Sequence, residues 1–75
     1  MKILCIDGPK GDMYWDGYGF TTNPIEAIPW SLVEYHKEHI DKMKKAAEKA
    51  GLDPQNSYVC EFTGYRIISK TKAEI

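Results

Sequence analysis

Only one segment of this chain is punctuated as a helix at both ends, and that limits what the rest can be. Ser31-x-x-Glu34 is a capping box: the serine hydroxyl accepts from the N3 amide while the glutamate reaches back to the cap amide. Trp30 and Tyr35 fall at N′ and N4, where a hydrophobic staple is expected. Gly51 suits the left-handed C′ position, and Asp53-Pro54 prevents continuation. Between these caps Leu32, His36, Ile40, Met43, Ala47 and Ala50 recur at spacings of three and four, so the pattern predicts one amphipathic helix over Leu32 to Ala50. Glu34, Lys37, Glu38, Asp41, Lys44, Lys45 and Glu48 form its solvated face, with Glu38–Lys42 and Asp41–Lys45 as favourable i,i+4 pairs.

One such helix in 75 residues leaves strands and turns to supply the remaining core of a single domain, residues 1–75. A domain of about 60 residues buries only about 60% of its unfolded surface, so few large apolar side chains can be spared for a deep substrate cavity. Ten Lys+Arg against eleven Asp+Glu give a net charge of -1, which argues against a protein held to duplex nucleic acid by neutralising phosphates. The longest apolar run, Ile3 to Ile6, falls far short of the roughly 20 residues that cross a bilayer. Cys5 and Cys60 are the only cysteines, and no basic stretch with an apolar follow-on opens the chain. The expectation is a cytoplasmic protein with two reduced thiols and no membrane partner.

Lys2 to Asp7 reads as a strand ending at the turn Gly8-Pro9-Lys10-Gly11. Both of its faces are apolar, so it belongs inside a sheet or under the helix. Asp12 to Asp16 follows with strand-favouring aromatics, completing a hairpin. Asn23-Pro24-x-Glu26 has the N-cap, N1 and N3 residues of a helix that Pro29 limits to about one turn. A second hairpin is expected around a two-residue Thr63-Gly64 turn, setting Phe62 against Tyr65, Glu61 against Arg66, Cys60 against Ile67 and Val59 against Ile68. Lys70 to Ile75 is polar and expected to fray. The predicted fold is therefore α+β, a small antiparallel sheet of two hairpins with one long helix, in the order ββ(short α)αββ.

Chemistry-bearing patterns are sparse. Ile6-Asp7-Gly8-Pro9 opens like a phosphate loop, but Gly11 is followed by Asp12 and Met13 where Gly-Lys-Ser/Thr is needed. Gly8-Pro9-Lys10-Gly11 matches a G-x-x-G clamp, yet such clamps join two helices and this one leaves a strand. Asp7, Asp12 and Asp16 adjoin turns, where a carboxylate caps nearby amides. His36 and His39, three apart on the helix, could share a metal with Cys60 or Cys5, which makes a metal- or ligand-binding protein the alternative reading. No catalytic constellation is present, and neither catalysis nor a cofactor is expected.

Tyr14, Trp15, Tyr18 and Phe20 are the main candidate site. Strand alternation sends Tyr14 and Trp15 to opposite faces, and one helix cannot cover both. Exposed Tyr and Trp are common interface anchors, so the expected function is a non-enzymatic protein-binding module docking through these four rings with Asp12, Asp16 and Trp30. Residues 1–30 carry Lys2 and Lys10 against Asp7, Asp12, Asp16 and Glu26, which favours a partner with a basic surface. A homodimer covering the spare aromatics is a further possibility.

The pattern Tyr14-Trp15-Asp16-Gly17-x-Gly19-Phe20-Thr21 followed by Pro24-x-Glu26-Ala27 resembles small phage and prophage proteins over roughly the first thirty residues. The resemblance implies a virus-encoded accessory protein acting in the host cytoplasm. Some such proteins bind and inhibit host machinery, including defence systems such as CRISPR complexes. It transfers no catalytic residue.

Overall fold

A computed structural model describes residues 1–75 as an α+β domain: five antiparallel strands in the order β3-β2-β1-β4-β5, with the helices on one face. β1 (Lys2–Gly8) and β2 (Gly11–Trp15) form the first hairpin, closing Gly8 against Gly11 as the turn residues require. β3 (Phe20–Thr21) adds a short rim beside β2. β4 (Ser57–Phe62) pairs with β1, and β5 (Ile67–Lys72) pairs with β4. The doubly apolar β1 is thus the central strand, with Ile3, Leu4, Cys5 and Ile6 all buried. No helix is long and apolar enough to cross a membrane.

The predicted single helix is two helices, α1 (Trp30–Tyr35) and α2 (Glu38–Lys49). His36 leaves the helical region at φ -104 and ψ 89. The capping box does not form: Trp30 is already helical, Pro29 stands at the N-cap, and no side chain caps the end. No glycine or proline lies between Ser31 and Ala50, so the break has tertiary origins. An isolated bridge between Ile3 and Pro29 ties the chain just before α1 to the sheet; α1 then packs on β1 and on α2, and α2 sends Met43 and Ala47 into the helix-side core. The break buries Val33 completely, while Leu32, His36 and Tyr35, two stripe residues and one staple residue, face solvent.

The C-terminal punctuation holds. Gly51 has φ +74, its amide donates to the Glu48 carbonyl, and Leu52 N–H donates to the Ala47 carbonyl at 2.8 Å, the paired bonds of a Schellman motif. Pro24–Glu26 forms the expected single turn, a 3₁₀ turn, with Asn23 Oδ1 accepting from the Ile25 amide.

Two sheet faces give two cores. Leu4, Ile6 and Trp15 pack with Val33, Met43, Ala47, Leu52 and Ala73 under the helices. Ile3, Cys5, Tyr14, Cys60 and Phe62 pack with Ala27 on the other face, which no helix covers. There Cys5 and Cys60 are joined as a disulfide, correcting the expectation of free thiols. The register sets Ile3 opposite Cys60 and Cys5 opposite Tyr58, so the two cysteines are diagonal neighbours on one face.

The second hairpin also differs in register. Phe62 pairs with Ile67, Glu61 with Ser69 and Cys60 with Lys70, with an irregularity between Glu61 and Phe62. The connection is the four residues Thr63 to Arg66, where the Thr63 hydroxyl accepts from the Tyr65 and Arg66 amides. Glu61 therefore meets the Met1 amine instead of Arg66. The expected fraying at Lys70 is replaced by strand to Lys72, and Ala73 N–H donates to the Ser57 carbonyl at 2.9 Å.

Candidate functional site

Of the rings expected at a docking surface, two belong to the cores. Trp15 is 1% exposed, on the helix side, where it meets Phe20 at 5.4 Å between ring centroids and His39 at 6.3 Å. Tyr14 is 8% exposed, on the opposite face. Alternation does split them, but both faces are covered: helices bury one, while the Pro24–Ala27 turn and the side chains of β4 and β5 shelter the other. Neither ring is an exposed anchor. Burial raises the Tyr14 pKa above its usual 10.0, Asp12 adding to the rise and Lys70 opposing it. Phe20 is half-buried beside Trp15.

Tyr18 is the ring that stays outside, 95% exposed. Asp16 builds its loop: one carboxylate oxygen accepts from the Tyr18 and Gly19 amides, both at 2.8 Å, and Asp16 N–H donates to the Gly19 carbonyl. Gly17 adopts φ +100, where a side chain would be strained and would crowd Ile28. Asp12 is likewise structural. Lys70 Nζ donates to both of its carboxylate oxygens at 3.1 Å, lies 3.6 Å from Asp7, and stands 4.5 Å over the Tyr58 ring. Burial lowers the Lys70 pKa, but the Asp12 hydrogen bond and the two carboxylate charges outweigh it and the net shift is upward.

The His36, His39 and Cys60 set does not converge. His36 and His39 have ring centroids 6.4 Å apart above the helix-side core, whereas Cys60 points to the other face and is bonded to Cys5. His39 Nδ1 accepts from the Trp15 indole at 3.4 Å, and His36 Nδ1 sits 3.7 Å from Glu38. No group of three or more His, Cys, Asp or Glu side chains is placed to hold a metal.

Trp30 is half-buried and lies at the junction of two depressions on the helix side. One, of about 460 Å³, runs between α1, α2 and the chain after β5, past Val33, Ile40 and Ile75. The other, of about 340 Å³, crosses the open end of the sheet over Val59, Ser69 and Thr71. They share Trp30 and Glu34 and so form one groove beside β5. Its walls carry Glu34, Asp41, Glu61 and Glu74 against Lys2 and Lys37.

β5 is the long free edge of the sheet; the opposite edge, β3, is two residues. Because Ala73 bonds inward to Ser57, antiparallel alternation turns the backbone groups of Lys72 and Lys70 outward, as far as the irregularity opposite Glu61 and Phe62. The sequence reading missed this edge by giving the strand end to a frayed tail. Ala73 and Ile75, apolar and alternating with Lys72 and Glu74, were the available signal, and the structure buries the first and half-buries the second.

Comparison with protein-family models, with curated proteins and with solved structures finds no match to this chain.

Proposed function

We propose that this protein is a non-enzymatic protein-binding module that accepts an extended segment of its partner along the β5 edge. The observation that carries the reading is the juxtaposition of a six-residue edge strand, on which Lys70 and Lys72 turn their backbone groups outward, and an acidic groove floored by apolar side chains and Trp30. A strand added to a sheet edge gains affinity from main-chain hydrogen bonds and specificity from pockets under alternate side chains. The groove selects basic or apolar residues on the helix side of the incoming strand, in keeping with a partner of basic surface. Lys70 and Lys72 sit on the edge itself, so a second copy pairing β5 to β5 brings lysines close together, and a foreign strand is favoured over a homodimer. The resemblance of residues 14–27 to small phage proteins supports a partner among host proteins, defence complexes included, with occlusion as the proposed mode of action.

The test is selection of random peptides on the immobilised protein beside Lys72→Pro and Glu34→Arg. Lys72→Pro deletes one outward amide and leaves the β4 ladder intact; Glu34→Arg reverses a groove charge. Selected peptides should carry Lys or Arg at alternate positions and lose binding to both variants. Peptides that ignore both substitutions overturn the proposal.

A further inference from the structure

The net charge of -1 conceals two surfaces of opposite sign. At about 3.6 residues per turn, Lys42, Lys45 and Lys49 share the outer line of α2, while Asp41 and Glu48 turn toward one flank. Asp41 joins the acidic groove. On the other flank the three lysines, with Gly17, Tyr18 and Ala46, line an open depression of about 300 Å³. None of the three lysines makes an ion pair. The nearby acids are engaged elsewhere: Asp16 Oδ1 accepts from two backbone amides, and Glu38 lies against His36.

We infer that Tyr18 with Lys42, Lys45 and Lys49 forms a binding site for single-stranded nucleic acid. Such sites combine a cationic track along the backbone with an aromatic ring on which a base stacks, and stacking requires an accessible ring face. Tyr18 supplies the face, held out on a glycine-flanked loop that Asp16 fixes before any ligand arrives. The lysines rise along the helix over about 10 Å, enough for more than one phosphate. An acidic protein segment would use the same charges, but it gains nothing particular from an aromatic ring face that stands 95% exposed beside them. Along the sequence, Tyr18 lies among aspartates and the lysines lie among glutamates, so only the fold brings ring and cations together.

Fluorescence anisotropy with labelled oligothymidylate at low salt tests the site. Binding should weaken with salt at a log–log slope of about -2, as expected for up to three phosphate contacts on a single strand. Tyr18→Phe should bind like the wild type. Tyr18→Ala should bind about fivefold more weakly or worse, the lower end of what one stacked base contributes. The triple Lys→Glu variant should not bind. Lys72→Pro should bind normally, which separates this site from the β5 edge. Equal binding by Tyr18→Ala, no binding by the wild type, or equally effective competition by polyglutamate would each overturn the inference, the last in favour of an acidic protein.

Discussion

Trp15 donates its indole N–H to His39 Nδ1 at 3.4 Å, joining β2 to α2 across the helix-side core. The bond gives a buried polar atom its partner and leaves no buried side-chain nitrogen or oxygen unsatisfied. It also accounts for His39 without a metal. His39→Ala should lower stability by about 1 kcal/mol, near the bottom of the range for orphaning a buried donor because the bond is long. In a domain of this size that is a fall of roughly 4–8 °C in Tm. An unchanged Tm would mean that water reaches the indole.

Trp15 and Tyr18 are three residues apart and do opposite work. Trp15→Ala empties a fully enclosed site in the larger core and should cost about 3–5 kcal/mol, enough to unfold a small domain. Tyr18→Ala should change stability by less than about 0.5 kcal/mol. Chemical denaturation of the two variants measures both. A stable Trp15→Ala protein would contradict the packing described here.

The Cys5–Cys60 bond closes a loop with a sequence separation of 55, for which chain entropy predicts about 4 kcal/mol of stabilisation. Protein denatured without reductant should take up no alkylating agent and should gain two labels after reduction. Reduction should also lower Tm. Two labels on unreduced protein would restore the free thiols expected from composition.

Three titrations have a definite sign. Glu61 is held below its usual 4.5 by its hydrogen bond to the Met1 amine, partly opposed by desolvation. Its contribution is therefore present above that value and lost as pH falls through the lower folded value. Tyr14 and Lys70 are both shifted upward in the fold, so what they contribute is complete below 10.0 and 10.5 and declines as pH rises further. Lys70→Met should flatten the alkaline limb of the stability profile at a cost of at most about 1 kcal/mol, since the ion pair is partly exposed. An alkaline limb unchanged by that substitution would place its origin elsewhere.

The elements legible in the sequence were those with local causes. Gly51, Asn23-Pro24 and Gly8 to Gly11 each dictate a backbone conformation, and each does so in the structure. The apolar pattern of β1 correctly made it a central strand. What failed depended on distant partners. The break at His36 has no local signal, the register of β5 follows from an irregularity opposite Glu61, and the disulfide follows from the pairing of β1 with β4. The aromatic cluster was misjudged for a related reason: alternation placed Tyr14 and Trp15 on opposite faces, but side chains from β4 and β5 supply the second cover. The charged residues of α2 read along the sequence as one solvated face, but their helical phase separates Lys42, Lys45 and Lys49 from Asp41 and Glu48.

Amide hydrogen exchange of Lys70 and Lys72, with and without a saturating selected basic peptide, tests strand addition most directly. The account predicts that these two outward amides, fast in the free protein, become protected in the complex while the amides around Tyr18 keep their rates. Protection confined to the Tyr18 loop or to α2, with the β5 amides still exchanging freely, would contradict it.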